Sequence, residues 1–163
     1  MKSLADYGAN WGGTNGKPDL SQRHWNMLAI PAVVLVVMAI LQIVSFSKFK
    51  DWLDGIRVGW PAVVAVVIIV AELLGALSLV QLNMNRMLRF FGLSLAVLVS
   101  GFWFIENLQL ASSGGAGQLP NSGLFGKYLS QSPGWWTIIE VSILLFWVVY
   151  SAELLKWRPQ NWR

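Results

Sequence analysis

Apolar residues fall into four long runs along this chain, at residues 27–46, 60–82, 90–110 and 135–155, with polar residues collected between them. Each run is close to the ~20 residues of helix that cross a hydrocarbon core roughly 30 Å thick. The pattern predicts an all-α fold: an integral membrane four-helix bundle forming a single domain over residues 1–163, with a polar tail over residues 1–24. A shorter pattern sits in the first link. Phe49, Trp52, Leu53 and Ile56 recur at helical spacing, one face of a short amphipathic helix over residues 48–57 that would lie in the membrane interface. Gly55 and Gly59 should end it, and Pro61 opens the second span where its missing N–H does no harm. Pro31 should bend the first span or mark where its regular helix begins.

Polar residues inside the spans carry the functional question. Glu72 lies in the middle of the second run, WPAVVAVVIIVAELLGALSLVQL. A charge at that depth costs about 2.5–3.5 kcal/mol on insertion scales, so such an acid faces the bundle interior, pairs, or keeps its proton. Ala65, Gly75 and Ala76 share its helix face and would let a neighbouring helix approach closely. Glu106 and Glu140 come near the outer ends of the third and fourth spans, both roughly 6–8 Å below the boundary at ~1.5 Å of rise per residue. Gln42 of the first span lies at a similar depth. Trp103 shares a face with Glu106, and Trp147 with Glu140. If these faces point inward, Gln42, Glu106, Glu140, Trp103 and Trp147 form an outer pocket of hydrogen-bonding groups between aromatic walls. It would suit a quinone or a lipid headgroup. Two facing acids could not both stay ionised cheaply, which also suits a proton relay. The ordinary alternatives are acids that snorkel to water, a glutamine bonded between helices and tryptophans that pack.

Composition narrows the chemistry. Only 12% of residues are charged, 55% are hydrophobic and none is cysteine. That removes disulfide relays, thiolate nucleophiles, iron–sulfur clusters and thioether-linked haem. His24 is the single histidine, so as a haem or pigment ligand it could act only alone or with a methionine. No metal site and no covalently bound cofactor is expected; a quinone is the one cofactor the polar interior leaves open.

Basic residues set the orientation. Of the 12 lysines and arginines, eight fall on the side of the two tails and the second link, and four in the first and third links. The positive-inside rule then places both termini in the cytoplasm, in the inner membrane of a prokaryote. The net charge of +4 reads as this retention signal, not as nucleic-acid binding. Arg86 and Arg89 would touch lipid phosphates. The polar start of the chain has no signal-peptide pattern, so the first span should itself direct insertion. Trp25, Trp60, Trp135, Trp136 and Trp157 flank the spans as interfacial belts. The third link is longer than connection requires, and its segment Leu-Phe-Gly-Lys-Tyr-Leu from Leu124 is apolar enough to cover the outer end or meet another subunit.

The succession SFSKFKDWLDGIRVGWP, AVVAVVIIVAELLGALSLVQL and NRMLRFFG resembles the DoxX-like membrane proteins. In that family a lysine-containing stretch and a surface helix precede a glycine–proline start to a helix bearing Glu-Leu-x-Gly. Here these are Lys48, Gly59 to Pro61, and Glu72-Leu73-Leu74-Gly75. The resemblance covers residues 27 to about 110, and the last span by hydropathy alone. It implies a four-helix bundle and, in the family's namesake, a membrane subunit of a thiosulfate:quinone oxidoreductase. Related bundles of the methylamine-utilisation and DsbB-like kinds rely on cysteine pairs, which this chain lacks.

Three functions remain. The first is a non-catalytic or assisting subunit of a larger, redox-linked membrane complex, with lipids and other membrane subunits as partners. The second is a quinone-binding oxidoreductase subunit whose intramembrane carboxylates handle protons. The third is a small transporter or proton pathway, although four short helices leave little room for alternating access.

Overall fold

A computed structural model describes residues 22–80, 86–112, 124–125 and 134–156. The tail over residues 1–21 and the rest of the second and third links lie outside it. Five helices follow in order: α1 (Gln22–Val44), α2 (Phe46–Gly55), α3 (Pro61–Leu79), α4 (Arg86–Ser112) and α5 (Trp135–Lys156). Four are long and apolar enough to cross a membrane, with mean hydropathy from 1.6 to 2.8 over their best windows. α1 packs on α3, α3 on α4 and α4 on α5, and a slighter α1–α5 contact closes the ring.

The long helices do not owe their positions to amphipathicity, since lipid is as apolar as the core. Small residues and buried polar groups decide which faces meet. On α4 the buried positions Leu93, Ala96, Val99, Ser100, Trp103 and Asn107 recur at three- and four-residue spacing and turn to α3 and α5. The small residues expected beside Glu72 are buried too. A Cβ on Gly75 would stand 2.8 Å from the Cβ of Ala96, and one on Gly92 would run into Ser78 Oγ and the Leu74 carbonyl. α3 and α4 therefore touch almost backbone to backbone. Their outer faces carry Val63, Val66, Val67, Val70, Leu98 and Ile105 exposed, as lipid-facing surfaces do.

The short helix forms where its periodicity places it, but it does more than float in the interface. Phe49, Trp52 and Leu53 are buried in the same core as the long helices, and α2 packs on both α3 and α1. Lys48, Asp51 and Asp54 stay exposed on its other face. It is a cap on one end of the bundle. Glycine does not supply the left-handed backbone of the turn into α3: Arg57 has φ 62° and Trp60 φ 58°. Pro61 follows Trp60 as the first residue of α3, as expected. Pro31 sits inside α1, with helix running nine residues before it.

Candidate functional site

Glu72 is completely buried, and its partners come from two other helices. Its Oε1 accepts from the Gln42 amide on α1 at 3.1 Å and from the Trp103 indole on α4 at 2.9 Å. The second N–H of Gln42 donates to the Leu124 carbonyl at 3.2 Å, so the same amide binds the third link to the acid. Gln42 and Trp103 are themselves fully buried, and Leu124 is 2% exposed. The Glu-Leu-x-Gly sequence has a geometric meaning in this setting. Gly75 lies one turn from Glu72 on the same face and lets α4 come close enough for the Trp103 indole to reach the carboxyl.

An aromatic cluster surrounds the α2 side of this node. Trp103 lies 5.5 Å from Trp52 and 6.0 Å from Phe49, ring centre to ring centre, while Phe49 stacks on Trp52 at 6.4 Å. Such pairs contribute about 0.5–1.5 kcal/mol each beyond the area they bury. Phe102 meets Trp103 edge-on from the same helix. Asn107, one turn beyond, donates to the Trp103 carbonyl at 2.9 Å. The cap helix, the Leu124–Phe125 turn and the acid are thus parts of one packed unit.

The expected outer pocket is divided differently. Gln42 and Trp103 join Glu72, which counting along the spans had placed in a deeper layer. Such counting assumes helix ends that start level. Here a single residue, Ser45, separates α1 from α2, whereas residues 56–60 intervene before α3. Glu106 is only part-buried, on the edge of the α4 stripe that Trp103 and Asn107 occupy. Glu140 is exposed, because the buried stripe of α5 runs through Thr137, Val141, Leu144, Val148 and Ser151 and leaves it outside. Trp147 also falls off that stripe. Its indole donates to the Met27 carbonyl at 2.8 Å, near the opposite end of α1 from Gln42. It lines an open, apolar groove of about 430 Å³ with Met27, Ile143, Phe146 and Tyr150. Glu140 and Trp147 therefore do not wall a site with Glu106 and Trp103.

Arg89 is half-buried near the start of α4. The side chains of His24 and Arg86 lie outside the described residues. Sequence reasoning overlooked Asn107 and Ser100, and it marked the segment from Leu124 as a cover without the Leu124 carbonyl bond to Gln42. Asn107 and Ser100 were within reach, since they lie four and three residues from Trp103 and so share its face. Leu124 had only the apolar character of its segment to recommend it.

Neither a protein-family model nor a curated protein nor a solved structure matches the chain.

Proposed function

We propose that this chain is a membrane-embedded accessory subunit of a larger, redox-linked complex, built on a DoxX-like plan. One observation carries the reading: the intramembrane acid is held by Gln42 and Trp103 of its own chain, with all three side chains fully buried. An acid held in this way by two neighbouring helices organises the bundle. The Glu72-to-Gly75 segment that resembles the family's motif is also the segment that sets the α3–α4 contact. The chain would sit in the cytoplasmic membrane of a prokaryote with both termini inside, in contact with lipid and with neighbouring subunits. Arg89 would meet lipid phosphate.

Purification of tagged full-length chain from its native membrane in mild detergent, followed by mass spectrometry, tests this. Stoichiometric membrane or redox proteins should travel with it. Recovery of the chain alone from several detergents and from native lipid discs would overturn the proposal.

A quinone-binding reading has one observation in its favour: the carboxyl is bonded to the Trp103 indole, which packs at a tilt on the stacked pair Phe49 and Trp52, an aromatic cluster that suits a flat ring. Solvent extraction of the purified protein, with a redox difference spectrum, decides it. Quinone at about one per chain supports that reading, and its absence from chain purified in native lipid removes it.

A further inference from the structure

The groups around Trp103 present more acceptors than they use. Gln42 Oε1, Glu72 Oε2 and Asn107 Oδ1 are buried and have no hydrogen-bond partner among the described residues. Each belongs to a side chain that is fully buried. Gln42 and Glu72 already touch through their other atoms, so their two uncommitted oxygens belong to groups 3.1 Å apart at the point of contact. Asn107 stands one turn from Trp103 on α4, and Ser100, one turn the other way, adds a fourth uncommitted oxygen. A buried acceptor left bare is costly, because it gives up its bonds to water and gains none in return. Several in one core, on three different helices, point to a partner that is not part of these helices.

The chemistry of that partner follows from what is left over. The N–H donors at the acid are committed, the Trp103 indole to Glu72 and both Gln42 N–H groups to Glu72 and Leu124, and one N–H of Asn107 goes to the Trp103 carbonyl. What remains at the Gln42–Glu72 contact is oxygen: Gln42 Oε1 only accepts, and Glu72 Oε2 accepts, or donates while the acid keeps its proton. A cation is a poor match, because the Gln42 and Trp103 donors already point at the same carboxyl. A small O–H group is a good one. Water carries two donors, and buried waters typically make about three hydrogen bonds to such groups.

We propose that the bundle binds a small O–H donor between Gln42 Oε1 and Glu72 Oε2. The donor is a water, or the hydroxyl of an apolar molecule that enters from the membrane. The Leu124–Phe125 turn and the α2 rings close the site at that end. The second Gln42 N–H, on the Leu124 carbonyl, holds the turn in place over it. Gln42 is then the specificity residue, since its two ends hold the turn and the guest. The inference does not rest on the subunit reading: a purification without partners leaves it standing, and an empty site leaves the subunit reading standing.

A high-resolution structure of the full chain in lipid, prepared without small organic additives, tests it. Density should lie within hydrogen-bond distance, roughly 2.5–3.0 Å, of both oxygens. A compact peak identifies water, and an extended one the hydroxyl of an organic guest. In Gln42→Met the peak should vanish while the Trp103–Glu72 bond persists. Three results would overturn the proposal. They are the two oxygens in direct contact around a single shared proton, a peak with the short many-oxygen contacts of a metal ion, and a peak unchanged in the Gln42→Met protein.

Discussion

At the level of single residues, the bond between Trp103 and Glu72 is the one whose energy can be isolated. Trp103→Phe keeps a ring among Phe49 and Trp52 but removes the indole N–H that reaches the carboxyl at 2.9 Å together with part of the buried ring, so the double-mutant cycle is needed to separate the bond from the packing. Interhelical hydrogen bonds in membranes average about 0.6 kcal/mol and reach about 1.7. The coupling energy should fall at the upper end of that range, because the carboxyl keeps only Gln42 as donor. In a Glu72→Leu background the same substitution should cost much less, since no acceptor is left to miss the N–H. Thermal unfolding of the four proteins in one detergent gives the coupling energy. Equal losses in both backgrounds would mean that Trp103 acts by packing alone. Much of this site was legible in the sequence: an acid in mid-span has to find donors, and Gln42 and Trp103 were two of the few polar groups on offer. Their convergence was not legible. Depth counted along a helix gives no azimuth, so Glu106 and Glu140 looked as eligible as Glu72.

At the level of elements, the α3–α4 contact depends on two missing side chains, and the glycines of α4 provide an internal comparison. Gly92→Ala would drive a Cβ into Ser78 Oγ and to 2.9 Å from the Leu74 carbonyl. Overpacking of this kind costs about 1–3 kcal/mol. Gly101 lies on the same helix with nothing within 4 Å of its would-be Cβ. Gly101→Ala should therefore be neutral or stabilising, by up to about 0.5–1 kcal/mol from helix propensity. The unfolding midpoint should fall in Gly92→Ala and hold or rise in Gly101→Ala; an equal shift in both would mean that α3 and α4 are not in backbone contact. The link from α2 to α3 offers a second test. Arg57 is exposed and holds φ 62°, a left-handed backbone that costs an ordinary residue about 1–2 kcal/mol. Arg57→Gly should raise the midpoint, and a fall would show that the side chain makes a contact worth more than the strain. All four spans and α2 could be read from periodicity and length. The docking of α2 onto the bundle could not. An amphipathic face looks the same whether it meets lipid headgroups or a protein end, and only the burial of Phe49 against Trp103 distinguishes the two.

Taken whole, the chain is a ring of four helices whose two ends differ in construction. One end is closed by α2 and the Leu124–Phe125 turn over the Glu72 node. Toward the other end the α1–α5 seam is held by the Trp147–Met27 bond and opens into the apolar groove. With the four long helices crossing the membrane, the α2 cap lies at the end opposite the start of α1 and the end of α5. The proposed orientation, from the excess of lysine and arginine in the tails and the second link, would put the cap outside the cytoplasm. Single cysteines can test this cleanly because the chain has none of its own. Asp54 is exposed on the outer face of α2, and Met87 is 81% exposed at the start of α4, toward the opposite end. In intact cells, an impermeant maleimide should label Asp54→Cys and leave Met87→Cys untouched until the membrane is opened. Inverted vesicles should reverse the pattern. Labelling of both positions from the same side would contradict the bundle itself. The reverse assignment would keep the bundle but turn it over, placing the cap and the acid beneath it on the cytoplasmic face.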